Sequence, residues 1–260
     1  MKNVLLFLFF LIFSSSFAQT QKIVATSFSM EDNLNAEKFL GIDAFGSLYY
    51  IYENVLYKKK DALILEYKNL SLGEITSVDI INPLKIIVFY EQFNTLIALD
   101  NQLNEIQKIS FSDLTIAATG LASQNRFWLY DQTTQKIGLY NSITKTHKTI
   151  APPIIGTLLH FETNLNYFHW IDSNQNWYSC SVYGEISNLK KVPNYDKIQI
   201  IDADTILFSK GEHLYLLDFK KDLRYEIENV KKSFDSFFYK DQILSIFTNR
   251  QLMNYKITIP

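Results

Sequence analysis

The side chains of this chain that are able to do chemistry are four histidines, a scatter of carboxylates and three arginines. Asp43, Asp79, Glu162 and Asp202 each follow or close a short apolar run in a different part of the chain, so four separate segments can bring one carboxylate each toward a common centre. His160 and Glu162 alternate, which puts both on one side of a strand and makes them the nearest approach to an acid–base pair. His169 precedes Asp172 by three residues, His147 lies among lysines and threonines, and His213 sits beside Gly211 and Glu212 as in a turn. A metal centre needs three or four converging ligands, and no spacing here gathers them. Arg126, Arg224 and Arg250 fall at turns or outer strands, too dispersed to clamp a carboxylate. A serine nucleophile elbow, a phosphate-cradling glycine loop and paired metal-ligand cysteines are all missing. Cys180, the only cysteine, reads as a small buried hydrophobe and allows no intramolecular disulfide. The expectation is a non-catalytic protein without metal or cofactor, in which Asp43, Asp79, His160, Glu162 and Asp202 line a polar channel.

The elements that would position these groups are hairpins. Phe127–Tyr130 and Ile137–Tyr140 are short apolar runs around a polar turn, a β pattern with no helical period. The pattern recurs. Its second runs align on Leu56, Leu96, Ile137, Trp177, Leu214 and Leu252, at spacings of 40, 41, 40, 37 and 38 residues. Six copies at this interval predict an all-β, six-bladed β-propeller with four antiparallel strands per blade. Inner strands are expected at Phe39–Asp43, Ile75–Ile81, Thr115–Leu121, Thr157–Glu162, Ile198–Ile201 and Phe234–Tyr239. The sixth unit runs out of chain before its outer strand, while Lys22–Phe28 is a spare strand at the other end. The last blade is therefore predicted to be completed by the N-terminal strand, leaving no open edge. Ser29–Ala36 reads as a polar connection whose loss should matter less than that of Lys22–Phe28.

Aromatic residues end the second strand in five of the units: Tyr52, Tyr90, Tyr130, Trp170 and Phe247. Displayed on one face of a disc, they would suit a protein partner or stack on sugar rings. Asn, Asp and Gln occupy turns where glycine is usual, and they tolerate left-handed backbone and bond their own main chain. Asp43-Ala-Phe-Gly-Ser-Leu-Tyr49 resembles the Asp-x-x-Gly-x-Leu-aromatic turn of several propeller families. Asp172-Ser-Asn-Gln-Asn-Trp177 resembles an Asp-box turn, with Asn174 in place of its glycine and Trp170 in place of its Ser or Thr. These resemblances imply the fold and carry no activity.

The start of the chain has the form of an export leader. Lys2 is followed by an apolar run from Val4 to Phe13, and Ser16 and Ala18 are small, so cleavage is expected before Gln19. Residues 19–260 then form one propeller domain. Without Lys2 the chain has 24 basic and 27 acidic residues, too balanced for nucleic acid, and no later stretch is long and apolar enough to enter a membrane. In architecture the chain resembles the exported propellers that act as accessory subunits of outer-membrane assembly or secretion machinery. That resemblance implies a periplasmic, protein-binding platform with a partner in the cell envelope. The alternative is a channel-mouth enzyme or glycan-binding protein, lactonase-like or lyase-like.

Overall fold

The computed structural model describes residues 21–260; the expected leader and its cleavage point lie outside them. The described residues form six sheets, of four antiparallel strands in all but one case, joined in a propeller. The N-terminal strands are β1 (Gln21–Val24) and β2 (Thr26–Glu31). Blade one holds β3 (Lys38–Ile42), β4 (Leu48–Tyr52), β5 (Val55–Lys60) and β6 (Leu63–Tyr67). Blade two holds β7 (Ser77–Asp79), β8 (Ile86–Tyr90), β9 (Thr95–Leu99) and β10 (Glu105–Ser110). Blade three holds β11 (Ile116–Ala122), β12 (Arg126–Asp131), β13 (Lys136–Asn141) and β14 (Thr146–Thr149). Blade four holds β15 (Leu158–Thr163), β16 (Tyr167–Asp172), β17 (Asn176–Ser181) and β18 (Ile186–Lys191). Blade five holds β19 (Lys197–Ile200), β20 (Thr205–Lys210), β21 (His213–Asp218) and β22 (Leu223–Glu228). Blade six holds β23 (Ser236–Lys240), β24 (Ile243–Thr248) and β25 (Gln251–Lys256), with β2 as its outer strand.

Burial follows position in the blade. Second strands such as β8 and β12 are buried almost throughout, because each has a hydrogen-bonded neighbour on both edges and another blade against both faces. Outer strands such as β14 are exposed. The six residues on which the repeats align are all 2% exposed or less. The core is divided among the gaps between blades, and the last cluster joins Phe39, Leu48 and Tyr50 of blade one to Phe247 and Leu252 of blade six. That cluster closes the ring.

Closure is more elaborate than a single spare strand. The run expected at Lys22–Phe28 is broken at Ala25: β1 pairs in parallel with β22 as a fifth strand of blade five, and β2 pairs antiparallel with β25 in blade six. Ser29–Glu31, expected in a connection, belongs to β2 and pairs with Leu252–Asn254. The N-terminal segment thus fastens two blades. Leu34, just beyond it, is buried, and its N–H donates to Arg250 O at 2.8 Å.

The same fastening recurs around the disc. A linker leaves each outer strand for the next inner strand, on the face that also carries the turn between second and third strands; we call this the linker face, and the opposite one the turn face. In five blades a residue of that middle turn with positive φ holds the linker. Asn54 accepts from Ile75 N at 2.8 Å and donates to Gly73 O at 2.8 Å. Asn94 accepts from Ile116 N at 2.9 Å and donates to Phe111 O and Leu114 O. Gln135 O and Gln175 O accept from Ile154 N and Val192 N, as Arg250 O does from Leu34 N. All five have φ between 46 and 65°. Asparagine supplies the left-handed backbone and, at two sites, an amide that also bonds across the gap. Glycine would give only the first.

The two resembling turns share one geometry. Asp43 Oδ1 accepts from Phe45 N and Ser47 N, and Asp172 Oδ1 accepts from Asn174 N and Asn176 N; Asp100 repeats this with Gln102 N and Asn104 N. The left-handed position is Gly46, Gln175 and Leu103 respectively.

Removal of residues 21–31 is expected to abolish cooperative folding, and deletion of Ser29–Ala36 to be as damaging, because both open blade six. Circular dichroism during heating checks this, and an unchanged melting temperature for either variant refutes it. The linker clamps separate two effects. Asn94→Gly keeps the backbone conformation and loses the amide bonds, so it should cost about 2–3 kcal/mol in urea unfolding. Gln175→Gly removes a buried, unpartnered Oε1 and the left-handed strain while keeping the carbonyl, so it should gain ~0.5–1 kcal/mol.

Candidate functional site

Four of the five strand-end aromatics are not displayed. Tyr90, Tyr130, Trp170 and Phe247 are buried between blades, and Tyr52 is half-buried. A second strand has other blades against both faces, so the bulk at its end fills the gap beside it. Trp170 stacks on Tyr178 with centroids 5.1 Å apart, and Phe247 packs on Phe39. The expected ring of aromatic groups on one face is therefore corrected to interblade packing.

The polar candidates separate into two groups. Asp43 is not in the channel. Its buried carboxyl caps its own turn and accepts a hydrogen bond from Tyr49 Oη at 2.9 Å. The others sit on or beside inner strands, and two of them, Asp79 and Glu162, tie one blade to the next. Asp79 accepts from Ile81 N at 2.8 Å and reaches blade three to accept from Leu121 N at 2.7 Å. Burial pushes its pKa up despite these two bonds. Glu162 Oε1 pairs with His160 Nε2 at 2.9 Å and accepts from Ile200 N of blade five at 2.8 Å. Gln199, which has no reactive group to draw attention in a sequence, pairs like a strand with Tyr239 of blade six, donating to its O at 2.9 Å and accepting from its N at 2.7 Å. Between blades three and four the approach is closer still. A Cβ on Gly120 would lie 2.0 Å from Thr163 Oγ1 and 3.1 Å from Asp79 Oδ2, so only glycine fits.

The channel opens on the turn face in a cavity of about 310 Å³. Ile42, Ile80 and Phe238 give it an apolar floor, and Glu162, His169, Asp202 and Lys240 give it polar walls from three blades. His169 was expected only near Asp172. It is the cross-strand partner of Glu162, so both lie on the face turned toward blade five. The imidazole is 5% exposed, with Nδ1 buried and unpartnered among the described residues. Burial pulls its pKa down to about 4, leaving it neutral at physiological pH. Glu162 Oε2 and Asp202 Oδ2 have no protein partner among the described residues, whereas Asp202 Oδ1 caps its own turn at Asp204 N. The cavity thus offers two carboxylate oxygens, a neutral imidazole and an ammonium over an apolar base. A sequence signal for His169 exists only once the register is known, because the pairing with Glu162 places it. Among the described residues no three His, Cys, Asp or Glu side chains gather closely enough to hold a metal ion, and no helix is long and apolar enough to cross a membrane.

No family model and no curated protein matches the chain. Solved structures are similar in fold. Virginiamycin B lyase from Staphylococcus aureus superposes with a TM-score of 0.57 at 12% identity, over 84% of this chain and 79% of the lyase. YCF48 bound to D1 peptide superposes with a TM-score of 0.59 at 9% identity, over 90% and 99% of the two chains. A structural genomics protein of unknown function from Bacteroides thetaiotaomicron gives 0.60 at 11% identity, over 92% and 75%. At these identities the likeness is one of fold, a propeller, which is an architecture capable of protein interaction.

The buried imidazole makes stability depend on pH. The folded pKa of His169 lies below the ordinary 6.5, so the unfolded chain takes up the proton first. Its contribution is complete above pH 6.5 and falls away toward pH 4. Between pH 7.5 and 4.5 the wild type should lose roughly 2–3 kcal/mol more than His169→Phe in urea unfolding. Comparing the two chains cancels the opposite contribution of Asp79. Equal losses would place His169 in a wetter setting.

Proposed function

We propose that this protein is an exported, ligand-binding propeller of the cell envelope that holds a small polyhydroxylated ligand, of the glycan class, at the turn-face mouth of its channel. The observation that carries this reading is the cavity of about 310 Å³ in which unengaged oxygens of Glu162 and Asp202, the imidazole of His169 and the ammonium of Lys240 surround an apolar floor. A cavity of this size, apolar with a few convergent polar groups, suits a sugar, whose hydroxyls need acceptors and whose C–H faces need apolar surface. Binding is favoured over proton abstraction because a general base works best with a pKa near the ambient pH, and burial holds His169 far below it. The likeness in fold to virginiamycin B lyase, in one structure with quinupristin, supports a propeller that holds a small molecule, without assigning the lyase reaction to this chain. The leader-like start of the chain supports export to the periplasm.

A second reading, a protein-binding platform of the envelope, is favoured by exposed apolar side chains in turns of the same face: Phe45, Leu84, Leu165 and Tyr183. Calorimetric titration of the purified protein with a panel of mono- and oligosaccharides distinguishes the two. Binding of at least one sugar, weakened about ten-fold or more by Glu162→Gln or Asp202→Asn, is the expected result. If no sugar binds, and envelope proteins are retained on the wild type but not on a Phe45→Ser, Leu84→Ser, Leu165→Ser chain, the platform reading replaces it.

A further inference from the structure

Asp43 leads to a second site, on the rim of the disc between blades one and two. Beside its carboxyl lies Lys58, whose side chain is only 10% exposed. An ammonium has three protons to donate and is costly to bury with any of them unmatched. Lys58 Nζ donates one, to Asn101 O of blade two at 2.9 Å. Asp43 Oδ2 is 4.0 Å away, near enough to offset the charge but outside hydrogen-bond distance, and it accepts instead from Tyr49 Oη, while Oδ1 accepts from Phe45 N and Ser47 N; the ammonium also lies 5.5 Å from the centroid of the Tyr49 ring. Asp100, the next nearest carboxylate, is engaged by Gln102 N, Asn104 N and the Asn104 amide. Burial accordingly pulls the Lys58 pKa down, against the opposing effect of the two aspartates.

The surroundings complete a binding groove. In the β5–β6 register Lys58 faces Leu65 and Lys60 faces Leu63, so one side of this hairpin presents two ammonium groups and two leucines. Phe45 and Leu63, both more than half exposed, form the rim of a cavity of about 230 Å³ whose wall includes Lys58, Lys60, Leu65 and Gln102. Nearby apolar surface and unmatched N–H donors call for a ligand with an acceptor at one end and hydrocarbon at the other. Asp43 and Asp100 face their own turns, and the charged residues that line the groove are Lys58 and Lys60, beside the neutral Ser47, Asn101 and Gln102.

We propose that this groove binds a small carboxylate carried on an apolar tail, with the carboxylate accepting from Lys58 and Lys60 and the tail lying against Leu63, Leu65 and Phe45. The site is separate from the channel mouth, and neither depends on the other.

The test is calorimetric titration of the purified protein with octanoate, octanol and octyltrimethylammonium. Octanoate should bind at least ten-fold more tightly than either of the others. Lys58→Met, checked for an unchanged melting profile, should lose that preference, and Lys60→Gln, at the edge of the groove, should weaken octanoate several-fold without touching the core. Glu162→Gln should leave octanoate binding as it is. Equal binding of octanoate and octanol, or octanoate affinity unaltered in both lysine variants, would overturn the proposal. So would octanoate binding abolished by Glu162→Gln, which would assign it to the channel mouth.

Discussion

A ring of radiating sheets has one requirement that an isolated sheet lacks: every gap between blades must be sealed, including the one where the two ends of the chain meet. Here the seal is made twice. Apolar residues of the second and third strands fill each gap, and in five of the six gaps hydrogen bonds from the middle turn of one blade hold the linker entering the next. The bonds require left-handed residues at fixed places, which is why Asn54, Asn94, Gln135, Gln175 and Arg250 all have positive φ. The junction from blade six to blade one uses the same bond, Leu34 N to Arg250 O, so the last gap is sealed as an ordinary one.

The inner rim meets the same requirement with polar groups. Asp79, Glu162 and Gln199 each reach a backbone group of the following blade, at a radius where the strands converge and there is little room for large side chains. A carboxylate that accepts two backbone N–H groups is a structural tie, and its presence in a channel says little about catalysis. What distinguishes the groups proposed here to bind ligands is an unengaged atom: the second oxygen of Glu162, the buried nitrogen of His169, two protons of Lys58. Asp79 and Gln199, which only hold blades together, have both side-chain polar atoms engaged.

The linking of blades five and six by one N-terminal segment follows from the same geometry. A blade closed only by a terminal strand would depend on that strand staying in place. Extending it across the gap, with β1 in parallel against β22 and Ile23 and Ala25 in the core beside Leu244 and Tyr255, ties its retention to the packing of two blades. Lys22 and Glu228 add an exposed ion pair, 2.6 Å apart, whose contribution is small in solvent.

The sequence alone determined the architecture, since a six-fold apolar repeat of about 40 residues allows few other arrangements and the repeat positions proved to be among the most buried of the described residues. It also determined that a strand from the N-terminus closes the ring, because the count of strands was one short at one end and one over at the other. It did not determine where the side chains of those strands point across the gaps. Tyr90 and Trp170 are alike in sequence whether they face solvent or a neighbouring blade, and only the packing of blades buries them. Asp43 and Asp79 both stand near the end of an inner strand, and each caps its own turn, yet only Asp79 also reaches the next blade, because both oxygens of Asp43 are taken up by Phe45 N, Ser47 N and Tyr49 Oη. His169, Gln199 and Lys58 acquire their roles from residues 7 to 43 positions away, brought into contact by strand register and ring closure. Such contacts are long-range by construction, and no local pattern records them.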